Sequence, residues 1–227
     1  MAAASTIYIT ASDQNRNGKT LLARLIADFL LLDGKDPFII DTDAPEGPLR
    51  QFFPGRTALA DFEKMQGRMK LFDTILEAPG RDYVVDLPQR HMQAFFHAAR
   101  ELEFFAAAHA SGFRVFVFFI VDRTQASLRA AKGVFEEPGI DLFVAVKNEH
   151  VGSSWPPEEG ALVLPALPRS VTNAIAEKRF SLRNFVLGDD QGMAGADKLA
   201  LNQFLLGVLG GLSGLDVELS MAGLKRG

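Results

Sequence analysis

The residues Asp13-Gln14-Asn15-Arg16-Asn17-Gly18-Lys19-Thr20 have the types and spacing to hold a phosphate chain. A strand-like run (Ile7-Tyr8-Ile9) precedes them and a helix-like run (Leu21 to Leu32) follows. A loop in that position aims backbone N–H groups and a helix N-terminus at an anion, and Lys19 adds a full positive charge. Thr20 would place a hydroxyl on Mg²⁺. The phosphate-binding set is therefore Asn15, Arg16, Asn17, Gly18, Lys19, Thr20 and Leu21. The pattern asks for Gly at position 13, where this chain has Asp, and Gly18 is the only glycine in the loop.

Two further carboxylate positions accompany the loop. Ile39-Ile40-Asp41-Thr42-Asp43 reads as an apolar strand ending in acids, and residues two apart in an extended chain point to one side. Val84-Val85-Asp86-Leu87-Pro88 delivers Asp86 at the end of another short strand, where a Mg²⁺-associated acid belongs. In open α/β sheets, ligands bind beyond the carboxyl ends of the strands, so all three segments are expected at one edge.

The elements that must position them follow from the alternation of apolar runs. Strands are expected near 5–10, 37–41, 82–86, 113–121, 141–147 and 161–164. Helices are expected near 19–33, 57–77, 89–110, 124–136, 168–178 and 196–212. Such alternation predicts a doubly wound α/β fold, a mostly parallel sheet with helices on both faces in a Rossmann-like three-layer arrangement. With no repeat or linker in 227 residues, one nucleotide-binding domain spanning 1–227 is expected.

A net charge of −4 argues against a protein that coats nucleic acid by global charge. The absence of cysteine excludes a thiol nucleophile, a disulfide framework and Cys-ligated zinc. The first residues lack the basic segment and apolar run of a signal peptide, which sets the expectation of a cytoplasmic protein. Residues 199–215 carry no charge but hold Asn202, Gln203, Ser213 and four glycines, so a packed helix is expected there and no stable membrane span.

In its order of segments, from residue 5 to about 187, the chain resembles the ParA/MinD-like ATPases of the P-loop class. The family's Gly-Lys-Thr, its strand ending in Asp-x-Asp-Pro and its hydrophobics-Asp-x-Pro are similar to Gly18-Lys19-Thr20, Asp41-Thr42-Asp43-Ala44-Pro45 and Val84-Val85-Asp86-Leu87-Pro88. A later strand ending in Asn resembles Val144-Ala145-Val146-Lys147-Asn148, and the proline-bearing segment after it resembles Leu164-Pro165-Ala166-Leu167-Pro168.

The resemblance implies ATP and Mg²⁺ as cofactors. Lys19 would hold β- and γ-phosphate oxygens, and Thr20 would ligate the metal. Asp86 would hold the metal through water. Asp43 would also lie at the metal and orient the attacking water, Asn148 would face the adenine and Pro165 would flank it. It also implies a nucleotide-dependent homodimer and a protein partner whose partitioning or positioning is controlled. The family's loop begins with a lysine that crosses the dimer. Position 14 here is Gln and position 15 is Asn, with Arg16 as the nearby cation, so hydrolysis is expected to be weak. A degenerate scaffold without catalysis and an enzyme similar to dethiobiotin synthetase are the alternatives; Asp41-Thr42-Asp43 occupies the place where the latter family carries a lysine.

Weaker signals complete the reading. Arg169, Lys178, Arg179 and Arg183 form a basic cluster that suggests non-specific DNA contact, against a plain solvated helix face. His91, His97 and His109 lie at spacings that do not stack metal ligands. Phe52-Phe53 is a candidate contact surface, and Gly207, Gly210, Gly211 and Gly214 suggest close helix packing.

Overall fold

The structure, a computed structural model, describes residues 5–156, 161–177, 180–193 and 195–224. In chain order the elements are β1 (Ser5–Ala11), α1 (Lys19–Leu32), β2 (Phe38–Asp41), β3 (Thr57–Leu59), α2 (Met65–Leu76), β4 (Tyr83–Asp86), α3 (Gln89–Glu101), α4 (Phe104–Ala110), β5 (Phe113–Ile120), α5 (Gln125–Phe135), β6 (Leu142–Asn148), β7 (Leu162–Leu164), α6 (Arg169–Ala176), α7 (Leu182–Val186) and α8 (Gly195–Leu224). A 3₁₀ turn, Pro48–Gln51, lies between β2 and β3.

The seven strands form one sheet in the order β3-β2-β4-β1-β5-β6-β7, and every neighbouring pair is parallel. Strand β1 is buried along its whole length because it lies at the centre, between β4 and β5. Residues alternate between the two faces. Tyr8, Phe116, Phe118 and Ile120 join a core under α1, α6, α7 and α8. Ile7, Ile9, Val115, Val117 and Phe119 join a second core under α2, α3, α4 and α5. This is the expected three-layer α/β fold, and among the described strands the sheet is wholly rather than mostly parallel.

Several elements differ from expectation. Thr57–Leu59, expected as the start of a helix, is an edge strand paired with Ile39–Asp41. The helix expected over 89–110 breaks at Glu103, whose φ is 50°. The break turns Phe104 and Phe105 onto the sheet, and Phe104 stacks on Phe72 at 4.2 Å between ring centroids. Helix α7 was not foreseen, and α8 runs on to Leu224.

Helix α8 is long and apolar enough to cross a membrane by length and composition over Gly195–Leu215, and 28% of its apolar stretch is buried. Its Leu201, Phe204, Leu205, Val208 and Leu212 pack into the first core. Among Gly207, Gly210, Gly211 and Gly214, Gly211 is pressed against the sheet: a Cβ there would lie 2.7 Å from Leu162 Cδ1, whereas the other three face open space. The Phe52-Phe53 pair is not an exposed contact surface. Phe53 is buried, and Phe52 lies under the Arg24 guanidinium at 3.5 Å.

Candidate functional site

The loop from Ser12 to Gly18 leaves the C-terminal end of β1 and enters α1. Ser12 is fully buried, and its Oγ donates to Ile120 O at 3.0 Å, tying the start of the loop to β5. The same oxygen accepts from Gln14 N at 3.2 Å and from Asn17 Nδ2. Gly18 caps the helix at φ 99°, a conformation that costs a residue with Cβ. A Cβ there would also come within 2.9 Å of Asn148 Nδ2. Arg16 takes φ 57° without being glycine. Neither Asn15 nor Asn17 takes a positive φ, so the left-handed turns of the loop fall on Arg16 and Gly18.

Among the described residues the backbone N–H groups of Asn15, Arg16, Asn17 and Gly18 have no acceptor, and the first turn of α1 has none by helix geometry. Lys19, only 7% exposed, donates to Gln14 O and to Asn17 Oδ1, the latter at 3.2 Å. That leaves one of its three N–H bonds for a ligand. Burial holds the Lys19 ammonium below its ordinary range, and Asp86, Asp13 and Asp43 pull it back.

The carboxylates gather as the sheet register requires. Thr10 pairs with Asp86 across β1 and β4, and Asp41 pairs with Asp86 across β2 and β4. Asp86 Oδ2 accepts from Thr20 Oγ1 at 2.8 Å and its Oδ1 from Thr10 Oγ1 at 3.0 Å. Burial pushes the Asp86 carboxyl up to about 6, against the lowering effect of the Thr20 and Thr10 hydrogen bonds. Asp41 is fully buried and caps its own loop, accepting from Asp43 N at 2.9 Å and Leu49 N at 2.8 Å; burial raises its pKa also. Asp43 is half-buried and ion-pairs with Arg90 at 2.7 Å.

Asn15, Arg16, Gly18, Lys19, Thr20, Leu21, Asp43, Asp86 and Pro88 line one cleft of about 460 Å³. Expected site residues from three separate segments therefore share a single cleft. Asn17 stands behind it, buried. Asn148 and Pro165 are not in the lining. Asn148 ends β6 opposite Leu164, donates to Asn17 O at 2.9 Å and accepts from His150 N at 3.0 Å, so it buttresses the loop. Pro165 follows β7 at the same end of the sheet.

Three supporting residues were missed in the sequence: Thr10, Ser12 and Arg90. Only Arg90 carried a signal, four residues after Asp86 on the turn that opens α3. Of the basic cluster, Lys178 and Arg179 lie outside the described residues, and Arg169 is exposed. Arg183 lines a different cleft, on the flank of α1.

Chemically, unpaired N–H groups beside an ammonium suit an anion, and a threonine hydroxyl beside a carboxylate suits a small hard cation. The fold and this cleft together define an α/β three-layer protein with a loop of unpaired N–H groups at the carboxyl edge of its sheet. Comparison of the sequence with protein-family models and with curated proteins finds no match.

Proposed function

We propose that this chain is a Mg²⁺-dependent, ATP-binding switch protein of the ParA/MinD-like kind with weak hydrolysis, and that it controls the positioning or partitioning of a partner in the cytoplasm. The observation that carries the reading is the convergence of Lys19, Thr20, Asp86 and Asp43 on one cleft below a loop with unpaired N–H groups.

The residues present fit the cofactor. The loop N–H groups and Lys19 would hold phosphate oxygens. Thr20 and Asp86 supply the one or two protein oxygens that Mg²⁺ takes when phosphates and waters complete its shell. Bound Mg²⁺ would neutralise charge on the transferred phosphoryl group. Asp43 would orient water after exchanging its Arg90 partner. Positioning and charge neutralisation do most of the work in this chemistry.

The competing reading, a scaffold without catalysis, is favoured by Arg16 at positive φ and by Lys19 turned onto Gln14 O within its own loop. Equilibrium binding of a fluorescent ATP analogue separates the two. Binding that requires Mg²⁺ and disappears in Lys19→Ala is expected, with hydrolysis slowed by Asp43→Ala. Nucleotide binding without hydrolysis assigns the scaffold, and no binding at millimolar nucleotide overturns both. The homodimer and the DNA contact are tested by sedimentation of the chain with and without Mg-ATP and DNA.

A further inference from the structure

A second cleft lies on the flank of α1, away from the loop. Its volume is about 180 Å³, and its lining includes Arg24, Asp28, Arg56, Arg183, Asn184 and Phe52. Arg24 and Asp28 are one turn apart on the helix and are only 4% and 5% exposed. At about 1.5 Å per residue, Asp28 sits about 12 Å along the axis from Thr20.

Buried charges need partners, and the two residues differ sharply in theirs. Arg24 donates to Ile175 O at 2.6 Å and Phe180 O at 3.2 Å and lies over the Phe52 ring, while its buried Nε has no acceptor. Asp28 makes no hydrogen bond or ion pair among the described residues. The charges that act on it are those of Arg24 and Arg183, yet neither guanidinium reaches it within the roughly 4 Å of an ion pair. Arg56, from the connection into β3, is paired with Asp36 at the cleft's edge.

A buried carboxylate flanked by guanidinium groups that stop short of it leaves a gap with a defined chemistry. The occupant must accept hydrogen bonds from Arg183 and the cationic wall, and donate one to Asp28. A water molecule can do both but does not balance the Arg24 and Arg183 guanidinium groups against one carboxylate. A hydroxyl-bearing oxyanion satisfies both demands.

We infer that the cleft between α1 and α7 is a binding site for a small phosphate species, free or as a monoester, separate from the phosphate-binding loop. Arg183 is the accessible cation of the site and Asp28 its hydrogen-bond acceptor. With Arg56 paired to Asp36, the Arg24 and Arg183 guanidinium groups against the one Asp28 carboxylate leave the wall net positive by a single charge, and the volume admits a phosphate group with a small substituent.

The test is calorimetric titration of the full chain with inorganic phosphate and, in parallel, glycerol 3-phosphate. The Lys19→Ala variant removes the loop's contribution, so the two sites fail separately. Binding that survives in Lys19→Ala, and weakens at least about tenfold when Arg183→Gln is added, is expected from the loss of a charge-assisted hydrogen bond. Tighter binding of the ester assigns a monoester; equal or tighter binding of inorganic phosphate assigns the free ion.

A second variant guards against a folding defect. Asp28→Asn keeps an acceptor oxygen but removes the negative charge facing Arg24 and Arg183, so it tightens phosphate binding at about pH 8, whereas a merely structural lesion weakens it. Loss of all phosphate binding in Lys19→Ala overturns the inference, as does binding indifferent to both Arg183→Gln and Asp28→Asn.

Discussion

Replacing Asp86 by Asn should make the ligand-free protein more stable while destroying metal-dependent binding. Burial raises the Asp86 carboxyl from 3.8 to about 6. At about 1.4 kcal/mol per pH unit, the folded state pays about 3 kcal/mol for holding the charge at neutral pH. The sign follows from the direction. A carboxyl raised in the folded state contributes no penalty below the unfolded value of 3.8, a growing one as pH rises towards about 6, and a constant one above that. Asparagine carries no such penalty at any pH, but it weakens the hydrogen bonds from Thr10 and Thr20, a loss of about 1 kcal/mol. The net gain is about 2 kcal/mol above neutral pH and falls to zero or below under acidic conditions. Urea unfolding of wild type and Asp86→Asn at about pH 4 and about pH 8 measures it. A variant no more stable than wild type at the higher pH, or a difference that does not change with pH, refutes the reasoning.

Asp28 behaves alike: burial pushes it up to about 7, so wild-type stability should fall as pH rises from the acid range through about 7, and Asp28→Asn should flatten that slope in the same urea series. Gly207→Ala and Gly210→Ala should each stabilise α8 by roughly 0.5–1 kcal/mol, since an added Cβ meets nothing, whereas Gly211→Ala should gain less because Leu162 must give way; thermal melts compare the three. Gly18→Ala should abolish nucleotide binding and cost about 1–2 kcal/mol of stability, through its φ of 99° and the approach to Asn148, and a direct binding assay with a urea curve reads both. Arg90→Ala should leave stability within about 0.5 kcal/mol, because its pair with Asp43 is partly exposed, while changing the hydrolysis rate measured at saturating Mg-ATP.

What was legible in the sequence depended on how local its cause was. Strands β1 and β5 read clearly because parallel strands covered on both faces are nearly continuous apolar runs. Strand β3 did not: three residues hold no period, and Thr57–Leu59 is extended only because β2 pairs with it. The break at Glu103 has no Gly or Pro to mark it, and it answers to the distant demand that Phe104 reach Phe72. The same division holds at the site. Lys19, Thr20 and Asp86 stand in contiguous motifs at strand ends, so their convergence could be foreseen. Arg90 matters through its contact with Asp43 and Ser12 through Ile120 and Asn17, relations that only the assembled sheet creates. Asn148's hydrogen bond to the backbone of Asn17 is likewise a relation that only the assembled sheet creates.

Helix α1 shows why the charges rather than the apolar residues carry the information. It presents Leu22, Leu25, Ile26 and Leu30 to the first core, as its amphipathic spacing demands, yet it also buries Lys19, Arg24 and Asp28. Desolvation works against all three, lowering the pKa of the first two and raising that of the third. For Lys19 the cost is offset by loop oxygens and neighbouring carboxylates, and for Arg24 by two carbonyls and an aromatic face. Asp28 has no hydrogen bond or ion pair among the described residues, only the more distant charges of Arg24 and Arg183. The two charges with protein partners position the loop and the α6–α7 segment. Asp28, with no hydrogen bond or ion pair among the described residues, is the residue of this helix on which the proposed phosphate site turns.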